Sequence, residues 1–151
     1  MPSFVDALDT IKTALETSGA LHAAIDAPAG KSLQVRLAYR RREEIPMGDL
    51  PVCLITRPSV EGQAENNVAG EYQHTVLLYV GFYCEDRDLG ARKLIQVDEA
   101  VEKALLTDQT LGGSVDFIAP SSSQNDEGKN HPVYFLVKSF VVHKETVYGV
   151  E

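Results

Sequence analysis

Apolar residues recur every three or four positions from Ser3 to Leu21, at Phe4, Ala7, Leu8, Ile11, Ala14 and Leu15, a spacing that predicts a helix with one buried face. Ser3 reads as its N-cap, with Asp6 three residues on, and Gly19 as its stop. From Leu33 to Tyr39 apolar and polar positions alternate at period two, predicting a half-buried strand. Leu50 to Thr56 is almost wholly apolar, and Pro51 suits a strand whose first amide stays out of the ladder; this reads as the most buried strand. Tyr72 to Tyr83 places Val76, Leu78, Val80 and Phe82 on one face and turns apolar on both faces toward its end, which predicts a central position. Asp88 then reads as the cap of a second helix. Its stripe is Leu94, Val97, Val101, Ala104 and Leu105 beside Ile95, with Arg92, Lys93, Glu99, Glu102 and Lys103 toward water.

Gly112 and Gly113 let the backbone turn sharply after that helix and return it into a strand at Ser114–Ile118, and a last strand runs from Val133 to Lys144. Two segments lack any period. Arg57 to Glu71 is long beside typical connections of about 4–6 residues, and Ala119 to Pro132 is too polar to offset its ordering entropy. Both read as loops, mobile or ordered only against a neighbour. The expected fold is α+β: one domain over 1–151, a mixed or antiparallel sheet of about five strands, and two helices on one face.

The 151 residues match the roughly 100–200 of a single domain. Apolar residues at 44% and charged residues at 24% exclude general disorder. No run reaches the roughly 18 apolar residues of a spanning helix, and the N-terminus lacks the basic and apolar regions of a secretory signal, so no membrane is expected as a partner and the host cytoplasm is the expected site of synthesis and assembly. A formal charge of −8 sets the surface against nucleic acid, because phosphate binding needs Lys and Arg.

No reaction centre is legible. The serines lie in polar stretches without a nucleophile elbow, and Cys53 and Cys84 sit in strands. With only those two cysteines, which read as buried free thiols, a zinc cluster is not expected. His22, His74, His131 and His143 show no metal-ligand spacing, although His74 and His143 would approach if their strands pair. Gly112-Gly113 follows a helix and precedes a strand, the reverse of a phosphate-cradling loop. Arg40-Arg41-Arg42, the one basic cluster, is followed by Glu43 and Glu44 and suits a solvated face or an intersubunit ion pair. No enzyme activity, cofactor or metal is therefore expected.

An N-terminal helix, the Leu50-Pro51-Val52-Cys53-Leu54-Ile55 strand, the long loop and the His74-Thr75-Val76-Leu77 strand after it, the next helix, the Thr110-Leu111-Gly112-Gly113 turn and the closing strand pair resemble, in that order, the tail terminator or tail completion proteins of long-tailed bacteriophages and prophages. The resemblance implies a homo-oligomeric, hexameric ring on the last ring of the tail tube. Such a ring stops tube growth, offers a surface to head and neck proteins, and lets DNA pass its lumen without specific binding, all without a chemical step. It also implies location in the virion tail. Head–tail connector or neck proteins share the fold and stand as the alternative, as do a small enzyme or ligand-binding domain, which a cavity joining His74, Tyr72 and acidic side chains would favour, and an adaptor domain, which a strictly monomeric state at high concentration would favour. The residues expected at subunit or partner contacts are Arg40, Arg41, Arg42, Arg57, Glu61, Glu65, Glu71, Asp126, Glu127 and Lys129.

Overall fold

Phe4, Ala7, Ile11 and Leu15 form the buried stripe of the first helix, α1 (Phe4–Glu16), and each large side chain so buried contributes about 1.5–3 kcal/mol. The structure, a computed structural model, describes residues 4–25, 32–37, 50–64 and 69–147; Ser3, read as the cap of α1, lies outside them. The helix does not run to Leu21 as expected. It ends at Glu16, and a second helix, α2 (Gly19–Ile25), starts at the glycine read as a stop. Ser18 explains the break: its Oγ accepts the Leu21 amide at 3.2 Å, so a capping side chain restarts the helix and aims Leu21 and Ile25 into the core.

Five strands follow: β1 (Gln34–Leu37), β2 (Val52–Ala64), β3 (Ala69–Tyr83), β4 (Phe117–Asn125) and β5 (Val133–Val147), with α3 (Arg87–Leu106) between β3 and β4. They form one sheet in the order β1-β2-β3-β5-β4. Its β1–β2 pair is parallel and its other pairs are antiparallel, so the fold is α+β with a mixed sheet, and β3 stands at its centre as its two-sided apolar pattern predicts. Alternate strand residues, among them Cys53, Ile55, Val76, Leu78, Val80, Phe82, Leu136 and Phe140, join the helices in one core. A smaller cluster of Leu50, Val52 and Leu54 with Tyr79 and Val133 lies on the other face. Both faces of β2 are thus buried from Val52 to Ile55, as the apolar run predicts.

Both segments read as loops are largely strands. Residues 57–64 continue β2, and 69–71 open β3, paired from Ser59↔Thr75 to Ala64↔Gly70. Pro58 hid this continuation in the sequence, but it falls in a β-bulge where Arg57 and Pro58 together oppose Val76, a place that tolerates a missing amide. Likewise 119–125 belong to β4, whose exposed polar residues need no buried face. The strand is held by the backbone ladder to β5, with Ser121 as the extra residue of a second bulge. Only 126–132 remain a turn. The strand expected at Ser114 begins at Phe117.

Asp86, not Asp88, caps α3, accepting the Leu89 amide at 3.0 Å. Asp88 sits in the first turn and pairs with Arg92 at 3.0 Å, both exposed. Cys53 and Cys84 are buried free thiols, and burial pushes the Cys53 thiol up to about 12. No helix among the described residues is long and apolar enough to cross a membrane.

Candidate assembly surface

The long β2–β3 hairpin extends the sheet into an arm, and β5 lengthens it, pairing with β3 as far as Ala69↔Val147. Side chains along it pass from buried to exposed: Val76 and Val142 are buried, while Pro58 to Gly62, Glu71, Gln73 and Glu145 face solvent. Tyr72 lies across Gly62, where any Cβ would overlap the ring, so the glycine lets an aromatic close the flank of the arm. At its base a hollow of about 490 Å³ is lined by Glu61, Glu71, Tyr72, Asp116, His143 and Lys144, among others.

Two polar groups pin the arm and sheet to the helices. His74 is buried and stacks on Phe4 with ring centroids 3.8 Å apart and planes 6° apart. Its Nδ1 lies 3.3 Å from an Arg57 guanidinium nitrogen, and Arg57 also covers the Phe4 ring at 5.4 Å. Because Arg57 is a donor only, Nδ1 accepts and the ring proton sits on Nε2. Burial, and then the charges of Arg57 and Lys144, lower the pKa of His74 to about 4. Along the same face of β5, Lys138 is buried under α3, where its Nζ lies 2.7 Å from Asp98 and 3.2 Å from Glu102. Burial alone would lower the lysine pKa, but its bonds to Asp98 and Glu102 outweigh that and raise it.

After α3 the chain turns through Leu111, Gly112 and Gly113 at φ of 48°, 71° and 84°, the left-handed region that favours glycine. Asp108 organises this turn, accepting the Thr110 amide and hydroxyl and the Gly112 amide at 3.1, 2.8 and 2.8 Å, and these bonds hold its carboxyl below the usual range, the Thr110 hydroxyl first. The turn borders a groove of about 720 Å³ between α1–α2 and the second half of α3, lined by Thr13, Ala14, Ala20, Ala100 and Ala104 with Asp9, Lys103 and Asp108. A hollow of about 480 Å³ continues it past Ala23, Ala24 and Glu99.

Arg40, Arg41, Arg42 and Glu65 lie outside the described residues. Arg57 is half-buried against Phe4 and His74, so its place is structural rather than at a loop tip. Glu61 and Glu71 are exposed on the arm, whereas Asp126, Glu127 and Lys129 stand on the β4–β5 turn at the other end of the sheet. Asp126 there accepts the Gly128 amide at 3.1 Å and the Asn130 amide group at 3.1 Å. Glu71 and the end of β3 are twelve residues apart, on the order of 40 Å at about 3.3 Å per residue, so the fold does not gather these charges into one patch. His74 and His143 do not meet either. Gln73 is opposite His143, which turns the two histidines to opposite faces, and His143 stacks on Phe117 at 4.1 Å. His74 does not line the hollow at the base of the arm, although Tyr72 and acidic residues do.

Sequence reading missed the Phe4–His74–Arg57 stack, the Lys138 ion pairs and the helical groove. Only Lys138 left a signal: a charge at a core-facing position of an alternating strand, matched by Asp98 and Glu102 four apart on a helix.

No family model matches the chain, and no curated protein matches it. Among solved structures, a chain of the virion of a native gene transfer agent (GTA) particle is similar over 90% of this chain and 92% of its own, with a TM-score of 0.46 and 9% identity. At that level the likeness carries no argument about function.

Proposed function

We propose that this protein is a structural subunit of a phage-like particle, a tail terminator that works as a homo-oligomeric ring, joining the tail tube to head or neck proteins without a chemical step. In this reading it resides in the virion tail after assembly in the host cytoplasm, and DNA passes its acidic lumen unbound. The observation that carries the reading is the arm. Residues 57–64 and 69–75, with 141–147, form a three-stranded extension of the sheet, exposed at Pro58 to Gly62, Glu71, Gln73 and Glu145 and held by backbone pairing and by the Phe4–His74 stack. A surface ordered in advance loses less entropy on meeting a neighbour than a loop does, which suits a part that acts by fit. The residues of the resemblance support it: Leu50 and Pro51 lead into β2 and Val52–Ile55 form its buried start, His74–Leu77 lie mid-sheet in β3, and Thr110–Gly113 make the turn that Asp108 organises.

Light scattering across a concentration series tests the proposal, because assembly follows mass action. A mass rising to that of six subunits is the expected result. A constant monomer at every concentration would count against self-assembly into a ring.

A further inference from the structure

We propose that the groove between α1–α2 and the second half of α3 receives the first half of α3 from a second copy of this chain. The inference rests on the ring reading above and names the surface that would join its subunits. The groove is lined by small side chains, Ala14, Ala20, Ala100 and Ala104 among them, and so leaves room for large ones. The same helix supplies these earlier along its length, Ile95 about one and a half turns and Leu89 about three turns before Ala100: Leu89 is 45% exposed and Ile95 62% exposed, the latter the most exposed large apolar residue among those described. Such side chains stay in water on a monomer and would gain about 25 cal/mol per Å² of apolar area covered.

Charge selects the same occupant. Arg92 and Lys93 stand three and two residues before Ile95 and place positive charge beside the larger knob on a chain of net −8, while Arg87 is offset by the exposed Glu85 and Asp86 at the start of the helix and Asp88 pairs with Arg92. The groove and its continuation carry Asp9, Glu99 and Asp108 against Lys103, a local excess of negative charge. A copy of this chain therefore offers both the apolar knobs and the basic flank that the groove fits. Since knob and groove are different surfaces, each copy uses one toward each neighbour, the head-to-tail pattern that forms a ring when the rotation between copies closes and a filament when it does not.

Three samples test this by light scattering, with circular dichroism to verify folding: the unaltered chain, a knob variant (Leu89→Glu with Ile95→Glu), and a groove-filled variant (Ala100→Trp with Ala104→Trp). The expected result is a ring for the unaltered chain, folded monomers for each variant alone, and one-to-one pairs when the variants are mixed, because the mixture holds one intact knob and one intact groove. If the unaltered chain forms rings and both variants still do, or if the mixture yields no pair, the α3 surface is overturned while the ring stands. If the unaltered chain stays monomeric throughout, the ring reading falls and takes this inference with it. The knob variant keeps the test sound should the tryptophans unfold the groove, since Leu89 and Ile95 are surface residues.

Discussion

His74 carries a measurable consequence of its burial. A free histidine titrates near 6.5 and this one near 4, because the charged form would lie desolvated beside Arg57 and Lys144. Between those values the unfolded chain holds a proton that the folded chain does not, so unfolding takes up a proton and stability falls as pH drops from about 6.5 toward 4. The Phe4 stack ties that loss to the start of α1. In urea melts from pH 7 to pH 4, His74→Gln, which cannot charge, is expected to be less stable than the unaltered chain at neutral pH and to close the gap as the pH falls. A gap that stays constant across the range would mean that the imidazole does not titrate against the fold.

At the scale of elements, what the sequence made legible is what one-sided burial dictates. The α3 stripe, the two-sided apolar run of β2 and the central pattern of β3 all appear where period and composition place them. The arm and β4 were illegible because an exposed strand has no apolar alternation to read. Pro58 and the Pro120–Ser123 stretch speak against strand by propensity, and only the partners' registers, with a bulge at each proline, override them. The α1–α2 break depends on one serine hydroxyl, which competes with helix continuation too locally for periodicity to reveal. The residues expected at partner contacts were chosen from the sequence as charges, and charge alone could not say that Arg57 is folded against Phe4 or that Asp126 builds its own turn. The start of α3 separates two acids that look alike in sequence. Asp86 satisfies an otherwise orphan amide, so Asp86→Ala is expected to cost about 0.5–2 kcal/mol. Asp88 makes only an exposed pair with Arg92, so Asp88→Ala is expected to cost about 0–1 kcal/mol. Denaturant melts of the two variants check the order, and a larger loss from Asp88→Ala would shift the cap.

For the whole molecule, the charge of −8 acts against any assembly of identical copies, since self-repulsion grows with each subunit added. That repulsion is long-ranged, whereas in the proposed contact the opposed charges of the α3 knob and groove would act at close quarters. Salt separates the two effects: the screening length falls from about 30 Å at 0.01 M to about 8 Å at 0.15 M. Repulsion between acidic bodies is thus largely removed, while knob burial, which is apolar, is not weakened by screening. Raising sodium chloride over that range at fixed protein concentration is therefore expected to increase the weight-average mass seen by light scattering. A fall in mass over the same range would show that the contact is held chiefly by opposite charges, and would move the weight of the interface from Leu89 and Ile95 to Arg92, Lys93 and the acids that face them.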